Sequence, residues 1–238
     1  MDLSVVIPAY NEAERLGSSL ERVAGYLRER GTEYEILVVD DGSADATAEV
    51  AAGFEDRGVR VLRQPRNHGK GAAVRRGVLA SRGRRVLVSD ADLSTPIEAV
   101  ERLEAELGRA DVVFGSRAVA GADVQVRQPL YRELMGKTFN LIIRILGVRG
   151  IKDTQCGFKL LDGEAARRLF ERMIVDRFAF DVELVWLARR EGLRVVEVGV
   201  PWVDSPRSRV HPIFDSSRMF HDVLTFRFRH WRRAKKRR

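Results

Sequence analysis

The chain has 238 residues, 45% apolar and 32% charged, with one cysteine, Cys156. These figures exclude collagen-like, wholly disordered and disulfide-stapled proteins, and leave room for one large domain or two small ones. The net charge of +8 is confined to one end: residues 227–238 hold eight Lys or Arg and no acid, and the rest balances to zero. Such a tail seeks phosphate on nucleic acid or an anionic membrane surface, but a neutral body is unlike a nucleic-acid-binding face.

Leu3–Ile7 is a short, β-branched strand, and five apolar residues are too few for a signal peptide. Asn11, with Glu14 three residues on, predicts a helix N-cap and a capping box. Leu16, Leu20, Val23 and Leu27 follow at helical spacing. Ile36–Val39 is the second strand and ends in Asp40-Asp41-Gly42-Ser43. A helix with Thr47, Val50, Ala51 and Phe54 on one face leads to a third strand, Val59–Leu62. Gly69–Ser81 is Ala-rich and helical. Val86–Val88 is a strand ending in Asp90-Ala91-Asp92, a helix starts after Pro96, and strand Asp111–Phe114 ends in Gly115-Ser116-Arg117.

The second half is less regular. Tyr131–Leu146 reads as an amphipathic helix, followed by the dense segment Asp153-Thr-Gln-Cys-Gly-Phe-Lys159. Helices are predicted at Gly163–Arg172 and Asp181–Arg190, a strand at Arg194–Val198, and a Pro-, Ser- and Arg-containing loop at Ser205–Pro212. Phe214–Trp231 is predicted helical, with Phe220, Leu224, Phe228 and Trp231 near one stripe. No run approaches the ~18 apolar residues of a membrane-spanning helix. The expectation is a cytoplasmic body whose membrane contact, if any, is peripheral.

Strands apolar at consecutive positions are buried on both faces, which with intervening helices predicts an α/β fold with a parallel sheet and right-handed crossovers. Ligands then bind beyond the carboxyl ends of the strands. Tyr10, Asp41, Asp90, Asp92 and Arg117 all fall there.

Asp90 and Asp92, two residues apart after a buried strand, suit a Mg²⁺ or Mn²⁺ ion that bridges a diphosphate; a helix cap or polar turn is the plainer reading of the same pair. Asp41 can accept from a ring N–H of a base, with Gly42 permitting close backbone approach; a turn that caps the next helix is the plainer reading of the same residues. Lys70, in Asn67-His68-Gly69-Lys70-Gly71, can meet a diphosphate at a helix N-terminus, although the segment lacks P-loop spacing and a simple turn explains it equally. The four His lack metal-ligand spacing, and no Ser lies in a nucleophile elbow.

Taken together, Val5-Val-Ile-Pro8-Ala-Tyr10-Asn11-Glu12, Val39-Asp-Asp-Gly-Ser43, Asn67-His-Gly-Lys-Gly71, Asp90-Ala-Asp92 and Gly115-Ser-Arg117 resemble the inverting family 2 glycosyltransferases in order and spacing. Asp153–Lys159 looks like the dolichyl-phosphate β-glucosyltransferase branch, which is related to the dolichyl-phosphate mannose synthases. The resemblance covers roughly residues 1–212 and implies a GT-A fold over that range; residues 213–238, outside it, read from their own pattern as an amphipathic helix and basic membrane-surface tail.

Carried over by position, the resemblance gives Pro8, Tyr10, Glu12 and Asp41 to the nucleoside pocket, and Asp90, Ala91 and Asp92 to ribose, diphosphate and metal. Lys70 and Arg209 would assist the diphosphate. Arg117 and Arg132 would hold the acceptor phosphate, with Arg207 close enough to share or take the Arg209 role. Three positions depart from the mannose synthases: Ser94 stands where a metal-binding Gln is found, Gly136 replaces an acceptor-binding Ser, and Arg209 replaces the Lys that follows Ser208.

The implied reaction is metal-dependent transfer of a hexose, glucose from UDP-glucose, to a polyprenyl or dolichyl phosphate. GDP-mannose as donor, or a hydroxyl as acceptor, are the alternatives. A phosphate acceptor is largely ionised at neutral pH and requires no general base; Asp153 is the residue expected to serve as base if the acceptor is a hydroxyl. The tail and the apolar stripe would bring the enzyme to the cytoplasmic face of a membrane, although the stripe packing on the body is the competing expectation.

Overall fold

A computed structural model describes residues 1–124, 150–203 and 212–236. The strands are β1 (Leu3–Ala9), β2 (Tyr34–Asp40), β3 (Val59–Arg63), β4 (Arg85–Val88), β5 (Val112–Ser116), β6 (Asp123–Val124), β7 (Lys159–Asp162), β8 (Val195–Gly199) and β9 (Pro201–Trp202). The helices are α1 (Ala13–Glu29), α2 (Thr47–Ala52), α3 (Lys70–Ala80), α4 (Val100–Leu107), α5 (Gly163–Arg172), α6 (Phe180–Arg190) and α7 (Pro212–Lys236).

Seven strands form one sheet in the order β3-β2-β1-β4-β7-β5-β8, and β6 pairs with β9 apart from it. Side chains alternate through the sheet, so Val5 and Ile7 of β1 join one core and Val6 joins the other. The first core is closed by α1 and α4, through Leu16, Leu20, Val23, Leu27, Val100 and Leu103. The second is closed by α3, α5, α6 and α7. Truncating a core leucine such as Leu20 to Ala would cost about 2–5 kcal/mol. Gly77 lets α3 lie close on the sheet, because a Cβ there would strike Val6 and Val39.

The wholly parallel sheet expected from the sequence is corrected at one strand: β7 runs antiparallel to both β4 and β5. The cause is where the chain returns. Asp153 meets the backbone of Arg117 just past the carboxyl end of β5 (N to Oδ2, 3.0 Å), so the next strand starts from that edge and must run back.

The expected capping box is also corrected. Asn11 sits before α1 with a φ of 54°, a left-handed conformation that Asn tolerates. Its N–H donates to Ser43 Oγ (2.9 Å), and its Oδ1 accepts from Ala44 N (2.9 Å). Asn11 thereby clamps the loop after β1 to the loop after β2.

Helix α7 starts at Pro212 and lays one face on α6. Val223 and Phe226 are buried, Phe226 meets Trp186 edge-on at 5.3 Å, and His230 Nε2 lies 2.5 Å from Glu183. The stripe of Phe220, Leu224, Phe228 and Trp231 is on the outside, each 42–59% exposed.

Candidate active site

The carboxyl ends of β1, β2, β4 and β5 open into a cavity of about 540 Å³. Pro8, Tyr10, Glu12, Asp41, Lys70, Asp90, Ala91, Asp92, Ser94 and Arg117 all line it, so the sheet edge gathers these sequence-predicted residues into one place. Asp153 stands one layer behind, against Arg117. Arg132, Gly136, Arg207, Ser208 and Arg209, with the helix expected at Tyr131–Leu146, lie outside the described residues.

At one end, Asp41 is 3% exposed. Its Oδ1 accepts from His68 N (2.9 Å) and Gln64 Nε2 (2.7 Å), and its Oδ2 accepts from Gly69 N (2.8 Å). Burial pushes its carboxyl above the usual range against those donors. Asp40 serves the turn instead, accepting from Ser43 N at 3.0 Å. Of the paired carboxylates, one faces the cavity and the other caps.

On the floor, Lys70 Nζ lies 2.5 Å from Asp90 Oδ1. Burial works to raise the Asp90 carboxyl, but the Lys70 ammonium, with Lys159 and Arg117 behind it, holds it below its ordinary value. Lys70 is likewise held above its ordinary value despite burial, by Asp90 and Asp181. Gly157 presses on the other side of Asp90, where any Cβ would overlap the carboxylate. Asp92 accepts from Ser94 N (3.0 Å) at Oδ1, and Arg15 Nη1 approaches Oδ2 at 3.4 Å. Arg15 is itself held by Glu12, whose Oε1 accepts from Nη2 at 2.7 Å.

Asp90 and Asp92 together make a hard-oxygen donor set beside a cation-rich wall. No group of three or more His, Cys, Asp and Glu suited to a metal occurs among the described residues. That set fits a Mg²⁺-like ion whose remaining ligands are water and ligand phosphate, not a closed all-protein cage.

Arg117 is held in a fork by Asp153, Nε to Oδ2 at 2.7 Å and Nη2 to Oδ1 at 2.9 Å. Its guanidinium lies 5.2 Å from the centre of the Trp202 ring. Asp153 is 3% exposed, and its own N–H donates to Glu197 Oε1 at 2.7 Å. Burial raises the Asp153 carboxyl, but Arg117 outweighs it and keeps Asp153 below the usual range. A carboxylate so held is a weak proton acceptor, which counts against the expected role of Asp153 as a base and favours one of aiming Arg117.

The model of the family described as "Glycosyl transferase family 2" matches residues 4–170, which span the sheet edge just described. The chain belongs to glycosyltransferase family 2. Its GT-A fold agrees with solved transferases: mannosyl-3-phosphoglycerate synthase from Rubrobacter xylanophilus superposes with a TM-score of 0.70 at 22% identity, covering 99% of this chain and 75% of that one. Glucosyl-3-phosphoglycerate synthase from Mycobacterium tuberculosis, crystallised with Mn²⁺ and UDP-glucose, gives 0.68 at 22% identity over 96% and 78%. In sequence the chain is 37% identical to dolichyl-phosphate beta-glucosyltransferase of Dictyostelium discoideum, over 96% of this chain and 74% of that protein. It is 39% identical to the Mus musculus protein of the same name, over 96% and 75%.

In this family 2 transferase, four features of the site were given no individual role by the sequence. Lys159 is wholly buried, yet its Nζ lies 2.8 Å from Asp181 Oδ1, donates to the Cys156 carbonyl, and sits 5.2 Å and 5.6 Å from the Phe114 and Phe180 ring centres. Asp181 lines the cavity, and burial pushes its carboxyl up against the pull of Lys159 and Lys70. Gln155 lines the cavity with a buried Nε2 that has no partner among the described residues. Trp202 provides the aromatic wall beside Arg117. Gln155 lay within the dense 153–159 segment, so density of polar residues was its only signal; the Lys159–Asp181 pairing had none.

Proposed function

We propose that the chain transfers glucose from UDP-glucose to a polyprenyl phosphate, with inversion at the anomeric carbon. The observation that carries this reading is that Arg117, held in a fork by Asp153, and the Lys70–Asp90–Asp92 cluster line one cavity. Two separate anion-handling centres suit a reaction in which the leaving group and the nucleophile are both phosphates. The name shared by the Dictyostelium and mouse relatives supports the acceptor and the sugar. The Mn²⁺ and UDP-glucose in the Mycobacterium tuberculosis structure support the donor and the metal.

On this reading Asp41 accepts from the uracil N–H, and Pro8, Tyr10 and Glu12 border the nucleoside. Lys70 faces the diphosphate. Asp92, with Asp90 alongside and Ser94 at hand, would hold Mg²⁺ or Mn²⁺, whose charge offsets that of the leaving diphosphate. Arg117 uses Nε and one Nη2 hydrogen on Asp153 and offers the rest of its planar fork to the acceptor phosphate, which Arg132 and Arg207 would share. An acceptor oxygen attacks the anomeric carbon as the carbon–oxygen bond to the diphosphate breaks, and UDP departs. The nucleophile is already an anion at neutral pH, so alignment and charge stabilisation supply the rate.

The test is transfer of radiolabelled sugar from UDP-glucose or GDP-mannose to a short polyprenyl phosphate, with Mg²⁺, with Mn²⁺ and with chelator. Label in lipid from UDP-glucose alone, lost with chelator, is expected. Label from GDP-mannose alone would reassign the donor, and no lipid product from either would overturn the acceptor.

A further inference from the structure

Helix α7 has two apolar faces, and among the described residues the body packs against one. Val223, Phe226 and His230 lie on α6. The other face carries Phe220, Leu224, Phe228 and Trp231, which recur every three or four residues and therefore share one side of the helix. Phe228 and Trp231 are 57% and 59% exposed and stack on each other with centroids 5.7 Å apart. Arg232 leans over Phe228 (5.7 Å) and Lys235 over Trp231 (5.6 Å), so each aromatic ring carries a cation at its margin. The helix ends in the chain's densest run of like charge, eight Lys or Arg in residues 227–238 without an acid. Among the described residues no helix is long and apolar enough to cross a membrane.

We propose that this outer face of α7 is a docking surface for an anionic lipid bilayer, lying in the headgroup plane with Phe228 and Trp231 inserted and the Lys/Arg run on lipid phosphates. Charge complementarity chooses this occupant: a protein groove would match the apolar stripe, but not the uncompensated cationic end beside it. Cations at the margins of the aromatic rings can reach outward to headgroups while their stems cover apolar surface. The position of the helix gives the docking a purpose. Met219, beside Phe220 on α7, lines the cavity, so the docked face begins next to the site that an acceptor phosphate on a membrane-held chain must reach. The inference rests on the polyprenyl-phosphate reading for that purpose, but not for its test.

The test is co-sedimentation of the full chain with phosphatidylcholine vesicles, with and without phosphatidylserine, in the absence of donor and acceptor. The chain is expected to bind the phosphatidylserine vesicles and to release them as salt rises. Phe228→Gln/Trp231→Gln should weaken that binding about tenfold or more with the melting temperature unchanged, since both rings are exposed. Arg232→Gln/Arg233→Gln/Lys235→Gln should reduce the preference for phosphatidylserine. Equal vesicle binding by Phe228→Gln/Trp231→Gln and wild type would overturn the proposal. So would displacement of the chain from vesicles by a modest excess of poly(U), which would make the tail a nucleic-acid arm. Transfer to a soluble short-chain acceptor, measured in parallel, reports on the function reading alone.

Discussion

Lys70 and Asp90 meet at 2.5 Å on the cavity floor, and the backbone of Gly157 closes the far side of the carboxylate. Asp90 therefore has one place to be. The antiparallel strand β7 follows directly from that contact, so a segment distant in sequence sets the position of the Asp90 carboxylate.

Gly157→Ala tests this coupling. Its Cβ would occupy the space of the Asp90 carboxylate and drive it off Lys70. Transfer should fall about 100-fold or more, in line with the cost of misplacing a positioned group by about 1 Å. Circular dichroism should remain native. Near-normal transfer by a folded Gly157→Ala protein would contradict the assigned role of Asp90.

Asp153→Asn separates an aiming residue from a base. The amide keeps one acceptor oxygen but loses the charge-assisted fork to Arg117. Rate should fall about 10- to 100-fold through kcat, with the shape of the pH–rate profile preserved. Stability carries a second signature. The Asp153 carboxyl is held below its ordinary value, so its contribution is complete above the unfolded-state value of about 3.9 and is lost as pH falls through the lower folded one. Urea unfolding across acid pH should show a shallower loss in Asp153→Asn than in wild type.

Asp181 has the opposite sign. Its carboxyl is raised by burial, so its favourable contribution is present below about 3.9 and is lost as pH rises through the folded value. Lys159 lies beside it at 2.8 Å and pulls against that rise. Lys159→Met should therefore cost about 3–5 kcal/mol by removing one partner of a buried ion pair. Lys159→Met/Asp181→Asn should recover much of that loss, as read by chemical unfolding.

Asp92→Asn addresses the metal. Titration calorimetry of UDP binding should show Mn²⁺ strengthening the wild-type interaction and leaving Asp92→Asn almost unaffected, a difference of about tenfold or more. Equal Mn²⁺ dependence in both would move the metal away from Asp92.

The sheet edge was legible because buried strands end abruptly in Asp, Gly and Arg, and topology alone then places Tyr10, Asp41, Asp90 and Arg117 together. The direction of β7 was not. Its buried face opens with Lys159, which breaks the apolar signal, and antiparallel pairing there follows from a return path far away in sequence. Asn11 read as a cap because Asn favours both N-caps and left-handed turns, and only contact with Ser43 and Ala44 decides between them. The pairing of Lys159 with Asp181 was not legible, since a buried pair is written in packing and not in spacing. Gly157 carries its meaning in a side chain it lacks.

The most direct test of the account compares a polyprenyl phosphate with the polyprenol of the same length, using UDP-glucose as donor across a pH series. The account predicts transfer to the phosphate alone, at a rate that rises through the acceptor's second ionisation near ~6 and is level above it. Comparable transfer to the alcohol, with an acid limb that disappears in Asp153→Asn, would contradict it and make the fork a general base.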